Sequence, residues 1–392
     1  MRCLAVEPVE VADLARIYGT PMILIDADRI ERTIRSVANV CAVREVGVSY
    51  AAKALLCRSL ARLIARAGIG IDVCSMGELQ VVESAGFPVE RITLHGAGKT
   101  DQELLAAAGG RVGRIVVDGL CELRRLAELA PAGARMELLF RINTGVDVDT
   151  HPHVTTVGAH SKFGLEPDEE EEAASIVRAR PELRFAGLHA HAGSQIAGVE
   201  TFAANAAALG AAAERFRRLG LASRVLVAGG GFAVAYGDGA DGACDVGAAV
   251  GAMLEALGSE RAALEIEPGR AIVAEAGTTI YRVLSVKRRP GHNVAVVDGG
   301  MTDNPRPALY GAVHRVVAVN ARAGALRETR VFGRACESDF IASVQLPEDL
   351  ARGDLLAVCT TGAYTYSMAS NYNGFPKPAL VAVRGGRHEP WS

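Results

Sequence analysis

Short β-rich runs alternate regularly with Ala-, Leu- and Arg-rich segments through most of this chain, and this alternation constrains its fold more than any other feature. The runs with strand character span residues 46–54, 70–75, 91–96, 114–119, 136–143, 185–193, 224–231 and 263–270. Such alternation indicates parallel strands joined by crossover helices. Eight units predict an α/β fold built on a (β/α)8 TIM-like barrel, although strand number alone leaves an open doubly wound sheet as an alternative.

Beyond about residue 276 the helical segments thin out, and strand-like runs separated by Gly, Pro and Asp turns take their place. The runs are "TIYRVLSVKR", "NVAVVDGG", "HRVVAVNA", "DLLAVCT" and "PALVAVRG". We therefore predict two domains, a barrel over residues 28–275 and an all-β domain over residues 276–392. A further strand within residues 1–27 could join either domain, and we expect it to join the β domain.

Charge and apolar patterning exclude several classes of function. A net charge of −3 and an isoelectric point near 6.3 provide no general attraction for nucleic acid or an anionic membrane. No apolar run reaches the roughly 18 residues of a membrane span, and the N-terminus lacks the apolar core of a signal peptide. The eight cysteines form no C-x-x-C pair, which predicts reduced thiols in a cytoplasmic protein.

Polar residues recur at the ends of the predicted barrel strands. They are Lys53, Asp72 with Ser75, His95, Arg141 with Asn143, His189 with His191, the triplet Gly229–Gly231, and Glu267 with Arg270. In a (β/α)8 barrel the carboxyl ends of the strands form the face that carries chemistry. We therefore expect a ligand site on one rim of the barrel.

Each of these features also has a purely structural interpretation. Lys53 could extend into solvent, the glycines could form a tight turn, and Glu267 could form an ion pair at a turn. His189 and His191 have no matching carboxylates in the sequence pattern, so we predict no metal site. A strand-end lysine, a glycine-rich phosphate cradle and a strand-end carboxylate together fit pyridoxal phosphate, which requires all three.

Ordered motifs across the chain strengthen this interpretation. They are "YAAKALL", "GIGIDVCSMGEL", "HGAGKTDQEL", "RINTGVD", "HSKFGL", "GLHAHAGSQI", "GGGFAVAYG", "EPGRAIVAEAG", "VDGGMTDNPRPALY", "CES" and "GAYTYSMASNYNGFPKP". With these motifs the chain resembles the alanine-racemase-like, barrel-type pyridoxal-phosphate decarboxylases over nearly its whole length. The resemblance is closest to the branch that decarboxylates meso-2,6-diaminopimelate to L-lysine and CO2, the last step of lysine biosynthesis.

The resemblance implies roles for particular residues. Lys53 would attach the cofactor covalently, His191 would stack on its ring, Glu267 would pair with its pyridine nitrogen, and Cys336 would donate a proton. Cofactor contacts would come from Lys53, Asp72, His191, Ser194, Gly229, Gly230, Gly231, Glu267, Gly269, Arg270 and Tyr364. Substrate contacts would come from Arg270, Arg306, Tyr310, Glu337 and Tyr364, the arginines binding a distal carboxylate and Glu337 a distal ammonium group.

The resemblance also implies a homodimer in which the loop carrying Cys336 and Glu337 completes the partner's site. The chain departs from the family pattern in this loop, because no glycine follows Ser338. That departure bears on the shape of the loop. Two further departures, Ala192 and Ala233, remove no reacting group.

Other functions on the same scaffold remain as alternatives. A decarboxylase of another basic amino acid, of the ornithine or arginine type, would have less use for two arginines that suit a second carboxylate. An amino-acid racemase would be expected to lack the paired "CES" and "RPALY" features. A non-catalytic pyridoxal-phosphate carrier would be a single barrel without the β domain.

Overall fold

A computed structural model describes residues 8–146, 161–237, 242–319 and 324–391. Asp147 and His160, which belong to two of the family motifs, and Cys3 lie outside the described residues. Two compact units divide the chain. The described residues of Ile34–Ala233 and Ala243–Gly269 form one, which we call the barrel unit, and those of Met1–Thr33, Val234–Gly242 and Arg270–Ser392 form the other, the β unit.

Eight parallel strands close the barrel. They are β2 (Gly47–Ala51), β3 (Gly70–Val73), β4 (Ile92–Leu94), β5 (Arg114–Val117), β6 (Met136–Arg141), β7 (Leu183–His189), β8 (Val225–Val227) and β9 (Ala263–Ile266). Closure occurs between β2 and β9, where Gly47 pairs with Glu265. The predicted barrel is therefore confirmed, and the open sheet is excluded.

Helices connect consecutive barrel strands. They are α3 (Arg58–Arg66), α4 (Met76–Ser84), α5 (Asp101–Ala108), α6 (Leu120–Leu129), α7 (Glu170–Ala179), α8 (Val199–Arg218) and α9 (Val246–Leu257). Local sequence determines where several of them begin. The Thr100 hydroxyl accepts a hydrogen bond from the Glu103 amide, and the Glu103 carboxylate accepts one from the Thr100 amide, so this capping box begins α5. The Ser75 hydroxyl accepts a 3.2 Å hydrogen bond from the Glu78 amide and caps α4, which gives this strand-end serine a structural role.

Alternating side chains fill the barrel interior. Val116, Leu139, Ala186 and Val227 form one buried cluster, contributed by four neighbouring strands. Burying such a side chain stabilises the fold by about 1.5–3 kcal/mol each for Val and Leu. The centre is thus a packed core, and only the rim is available for a ligand.

The β unit contains a nine-stranded sheet. Its main path runs β14 (Phe340–Pro347), β13 (Leu326–Phe332), β11 (Asn293–Val297), β10 (Gly277–Arg288), β1 (Met22–Asp26), β16 (Ala379–Arg384) and β17 (Arg387–Pro390). Two more strands, β12 (Val316–Ala318) and β15 (Leu355–Cys359), pair with each other, and β15 also pairs with β10. The N-terminal strand β1 lies between β10, to which it is antiparallel, and β16, to which it is parallel.

The other four α-helices of the described residues are α1 (Pro8–Tyr18), α2 (Ala27–Ala42), α10 (Arg270–Val273) and α11 (Arg306–Tyr310). None of the helices in the described part of the chain has both the length and the apolar character that a membrane crossing requires.

One cysteine differs from the prediction of reduced thiols. Cys359, at the end of β15, is disulfide-bonded, so the prediction is wrong at this position. Free thiols are found at Cys41, Cys57, Cys74, Cys121, Cys244 and Cys336. The spacing of cysteines along the chain could not reveal this bond, because a disulfide depends on spatial approach rather than on a short sequence motif.

Candidate active site

Lys53 lies at the rim of the barrel, immediately after β2. It occupies a short 3-10 turn, Ala52–Ala54, in which both alanines are buried and the lysine side chain is exposed. The Ala51 amide donates a 3.3 Å hydrogen bond to the carbonyl of Pro268, in the loop after β9. This contact anchors the lysine turn to the loop that carries Glu267.

Asp72 lies one residue before the end of β3 and is 8% exposed. Its Oδ1 atom accepts a 2.6 Å hydrogen bond from the Ser49 hydroxyl. Burial, with the nearby Glu267 carboxylate, raises the pKa of Asp72 to about 6. His95 opposes this shift, because its Nε2 lies 3.6 Å from the same oxygen.

Glu267 follows β9 and is enclosed by two histidines. His189 Nε2 lies 3.0 Å from Glu267 Oε2, and His95 Nε2 lies 3.2 Å from Glu267 Oε1. The two imidazole rings meet edge to face with centroids 5.0 Å apart. Burial alone would raise the pKa of Glu267, but the two histidines outweigh it and hold that pKa well below its usual range.

The two histidines respond differently to this carboxylate. Burial lowers the pKa of His189 to about 4, so it is neutral at pH 7. Burial also acts to lower the pKa of His95, but Glu267 and Asp72 together raise it to about 9. At neutral pH the cluster thus contains one imidazolium next to two carboxylates.

His95, His189 and Glu267 place one ligand atom each within 4.8 Å of one another, a spacing that a metal ion could bridge. The sequence pattern had assigned no carboxylate to the histidines, and the structure brings Glu267 to both. The hydrogen bond and ion-pair contact among the three residues already account for their approach, and we assign them to the environment of Glu267.

The glycine triplet after β8 approaches neighbouring backbone too closely for any side chain. A Cβ added to Gly230 would lie 2.1 Å from the carbonyl oxygen of Glu267, and one added to Gly231 would lie 2.2 Å from that of Gly193. The Gly230 amide donates a 3.1 Å hydrogen bond to His191 Nδ1. The triplet therefore joins the His191 loop and the Glu267 loop at the rim.

These barrel-rim residues fit pyridoxal phosphate. An exposed lysine for covalent attachment, side-chain-free backbone for a phosphate and a buried carboxylate for the pyridine nitrogen are the three requirements of that cofactor. Burial lowers the pKa of His191 well below its ordinary value, which leaves a neutral ring suited to stacking. Ser194 follows in the same loop, and Gly269 packs against Ala51 and Ala54 beside Lys53.

Two other polar residues at the ends of barrel strands, Arg141 and Asn143, interact with neighbouring side chains of the barrel unit. Arg141 Nη1 lies 3.7 Å from Asp118, and its guanidinium lies 4.0 Å from the Phe163 ring centroid. Asn143 donates a 3.0 Å hydrogen bond to Glu166.

Within the β unit, two buried arginines lie among tyrosines. Arg270 and Arg306 are each 6% exposed. The Arg306 Cζ lies 5.6 Å from the Tyr310 ring centroid and 5.9 Å from that of Tyr364, and the Arg270 Cζ lies 4.8 Å from that of Tyr364. Burial, together with the charge of Arg270, lowers the pKa of Arg306. Among the described residues, the groups that act on the charge of Arg306 include no carboxylate, and its Nε has no hydrogen-bond partner.

The loop that carries Cys336 and Glu337 also belongs to the β unit. Both side chains are exposed, and Glu337 accepts a hydrogen bond from the Tyr372 hydroxyl. Where a glycine is missing after Ser338, Asp339 itself adopts a left-handed φ of 22°. Its carboxylate accepts a 2.7 Å hydrogen bond from the Met301 amide, which anchors the loop despite the missing residue.

Sequence reasoning missed Tyr236 and His314, which lie with the arginine pair. Arg270 Nη1 donates a 2.5 Å hydrogen bond to the Tyr236 hydroxyl, and the Tyr236 and His314 rings meet edge to face at 5.1 Å. Tyr236 is the residue before the last in the motif "GGGFAVAYG", and a lone tyrosine among small apolar residues carries no sequence signal for a contact with distant arginines.

Comparison with known proteins agrees with this geometry. Residues 27–274 match the family model described as the pyridoxal-dependent decarboxylase, pyridoxal binding domain. A diaminopimelate decarboxylase of Actinosynnema pretiosum subsp. auranticum is 43% identical over 96% of this chain and 87% of its own length.

Two solved structures are also similar. Diaminopimelate decarboxylase from Helicobacter pylori, complexed with L-lysine, has a TM-score of 0.91 at 30% identity and covers 97% of this chain and 95% of its own. Lysine/ornithine decarboxylase from Vibrio vulnificus, complexed with cadaverine, has a TM-score of 0.82 at 26% identity and covers 96% of this chain and 98% of its own.

The closed barrel, the rim that fits pyridoxal phosphate and the family-model match define a pyridoxal-phosphate-dependent decarboxylase, a carboxy-lyase. The identity to curated relatives over nearly the full length is more specific. This chain belongs to the diaminopimelate decarboxylase family.

Proposed function

We propose that this chain decarboxylates meso-2,6-diaminopimelate to L-lysine and CO2. The observation that carries the proposal is the pair Arg270 and Arg306, two buried cations among tyrosines in the β unit. Burying a guanidinium group is costly, and a carboxylate bound by it offsets that cost. A diamino acid with two carboxylates supplies one for the reaction and one for this pair.

Barrel-rim residues would hold the cofactor. Pyridoxal phosphate, when bound, supplies the electron sink that accepts the electron pair left by departing CO2. Lys53 would attach it covalently, the amides of Gly229–Gly231 would bind its phosphate with Ser194 and Tyr364, and His191 would stack on its ring. Asp72, Gly269 and Arg270 would complete its surroundings.

Glu267 would hold the proton on the pyridine nitrogen. A carboxylate that stays ionised favours the charged form of a neighbouring base. His189 and His95, at 3.0 and 3.2 Å from its two oxygens, support this role because they stabilise the anionic carboxylate.

Cys336 would donate the proton that replaces the lost carboxylate, and Glu337 would bind the distal ammonium group of the substrate. Arg270, Arg306, Tyr310 and Tyr364 would bind the distal carboxylate. The distal carbon of diaminopimelate carries an ammonium group and a carboxylate. The negative charge of Glu337 suits the first, and the positive charges of Arg270 and Arg306 suit the second.

We further propose a homodimer with shared active sites. Exposed apolar side chains in the β unit support it, with Leu309 52% and Val313 78% exposed beside α11. Helix α11 packs against β14, whose first residue, Phe340, is also exposed and follows the loop that carries Cys336. Exposed apolar side chains on packed elements are typical of a subunit interface, and a second copy of the chain is the partner that would cover them.

We also propose that the protein works in the cytoplasm and catalyses the last step of lysine biosynthesis. The alternative is decarboxylation of another basic amino acid such as ornithine, as the similarity to the Vibrio vulnificus lysine/ornithine decarboxylase allows. Ornithine has no second carboxylate that Arg270 and Arg306 could bind.

Product analysis tests the proposal. The purified protein, loaded with pyridoxal phosphate, is offered meso-diaminopimelate, L-lysine and L-ornithine separately, and CO2 and amine products are quantified. We expect one L-lysine per CO2 from meso-diaminopimelate and little turnover of the other two. Equal turnover of ornithine would favour the alternative function.

A further inference from the structure

Tyr236 contacts both arginines of the pair, yet neither the sequence pattern nor the roles implied by the family include it. Its hydroxyl accepts a 2.5 Å hydrogen bond from Arg270 Nη1. Its ring centroid lies 6.0 Å from the Arg270 Cζ and 5.5 Å from the Arg306 Cζ. Because the same ring lies beside both guanidinium groups, the position of Tyr236 affects where each of them lies.

A tyrosine stabilises these cations without neutralising them. The negative face of an aromatic ring attracts a guanidinium group, and a phenolic oxygen accepts a hydrogen bond from it, but neither supplies a counter-charge. An aspartate or glutamate at this position would form an ion pair and occupy the donors. With Tyr236 in place, no carboxylate among the described residues acts on the charge of Arg306, and its Nε has no hydrogen-bond partner.

His314 supports the Tyr236 ring from the strand side. It is 1% exposed, its ring meets that of Tyr236 at 87°, and its Nδ1 lies 3.0 Å from the backbone carbonyl oxygen of Cys359 at the end of β15. A neutral imidazole whose Nδ1–H donates to this carbonyl has a fixed orientation. The tyrosine therefore rests on a ring that the sheet holds in place.

We propose that Tyr236 is a positioning residue that determines specificity for the distal carboxylate. Its hydroxyl and ring hold the Arg270 and Arg306 guanidinium groups so that both can donate to one carboxylate. The inference rests on the proposed function, because it concerns the same substrate group. Beyond the proposed function, it assigns to Tyr236 an indirect effect on the distal carboxylate, exerted through Arg270 and Arg306.

L-lysine and cadaverine provide a direct test, because cadaverine is lysine without its carboxylate. Each is titrated by calorimetry into the protein loaded with pyridoxal phosphate. In Tyr236→Phe, loss of a hydrogen bond to a charged donor should weaken lysine binding roughly tenfold and leave cadaverine binding within about twofold. Tyr236→Leu, which also removes the ring, should weaken lysine binding further.

Tyr18→Phe is a matched control within the β unit. Tyr18 also meets a histidine edge to face, His388 at 5.6 Å, and its hydroxyl lies 2.9 Å from His388 Nδ1. No arginine pair is described beside it, so this substitution should change the binding of neither ligand. If Tyr236→Leu fails to fold, Tyr236→Phe, which removes one oxygen atom, carries the test alone.

The outcomes separate the two hypotheses. Equal weakening of lysine and cadaverine, or no weakening of lysine in Tyr236→Phe, would overturn the role of Tyr236. An unmodified protein that binds lysine no more tightly than cadaverine would overturn the carboxylate assignment and this inference with it. A preserved difference between lysine and cadaverine without turnover of meso-diaminopimelate would overturn only the proposed function.

Discussion

His189 and Glu267 form a hydrogen bond across the rim of the barrel, from strands separated by a third strand. His189 ends β7, Glu267 follows β9, and the Nε2 to Oε2 distance is 3.0 Å. Both side chains are buried, and the low local polarity strengthens the contact. The bond orients the carboxylate and, with His95, keeps it ionised.

Glu267→Gln tests the consequence of that charge. Glutamine keeps the shape and one acceptor but cannot stabilise a protonated pyridine nitrogen. We expect kcat for meso-diaminopimelate to fall by roughly 10²–10³, the range for loss of one electrostatic group that acts in the transition state, while the cofactor remains attached at Lys53. Glu255→Gln, on the exposed face of α9, is the control. A kcat within a few-fold of the unmodified value in Glu267→Gln would contradict the assignment.

His95 predicts a pH dependence of stability. Its pKa is raised from the ordinary 6.5 to about 9, so protonation stabilises the folded state. That contribution is fully present below pH 6.5 and is lost as the pH rises through about 9. The size of this contribution to the free energy of unfolding is on the order of 3 kcal/mol.

Urea unfolding of the unmodified protein and of His95→Gln, measured from pH 6 to pH 10, checks this window. The free energy of unfolding of the unmodified protein should exceed that of His95→Gln by more at pH 6 than at pH 10, and the change should match the contribution given above for His95. A difference that stays constant over this range would show that His95 does not gain a proton between the two carboxylates on folding.

Lys53 is predicted to attach the cofactor, and the chain contains five lysines to choose from. Borohydride reduction followed by peptide mapping should place the pyridoxyl group on Lys53. Lys53→Ala should lose the label and nearly all activity, because the covalent anchor is gone. Lys287→Ala, exposed near the end of β10, should keep both. A label on another lysine would refute the assignment.

Arg306 is predicted to bind the distal carboxylate of the substrate. Arg306→Ala should reduce kcat/KM for meso-diaminopimelate by more than tenfold, since one partner of a buried, hydrogen-bonded charge pair contributes about 2–5 kcal/mol. Most of the effect should appear in KM if the contact is equal in the bound substrate and the transition state. Arg330→Ala, a half-exposed arginine on β13, is the control. An unchanged KM would argue against a carboxylate contact at Arg306.

The sequence predicted the alternating strands and helices of the barrel, but it did not predict which distant side chains contact each other. Strand and helix alternation predicted the barrel because each unit shows its own local pattern. The predicted strands extend past the observed ends, for example to residue 54 where β2 stops at Ala51, because polar strand-end residues turn into the rim loops. The position of Lys53, His95 and Glu267 on one rim followed from strand polarity alone.

Contacts between distant side chains could not be predicted in the same way. The approach of His95 and His189 to Glu267 depends on the tilt and closure of the barrel. Tyr236 and Arg306 contact each other although 70 positions separate them in the chain. The sequence around either residue gives no sign of this contact. The disulfide at Cys359 was missed for the same reason.

Subunit mixing tests the proposed shared site. If Cys336 serves the partner's site, each site combines Lys53 of one chain with Cys336 of the other. Homodimers of Lys53→Ala and of Cys336→Ala should each be nearly inactive. When the two variants are mixed and exchange subunits, about half of the dimers are mixed ones if pairing is statistical.

Each mixed dimer then has one site with both lesions and one site with neither. Activity should recover to roughly a quarter of the unmodified value per total site, because half of the dimers carry one intact site of two. If Cys336 instead served its own chain, every site of a mixed dimer would carry one lesion and mixing would restore nothing. Absence of recovery, in a mixture shown by mass spectrometry to have exchanged, would reject the shared site and leave the decarboxylase assignment intact, because that assignment rests on the barrel rim and the family match.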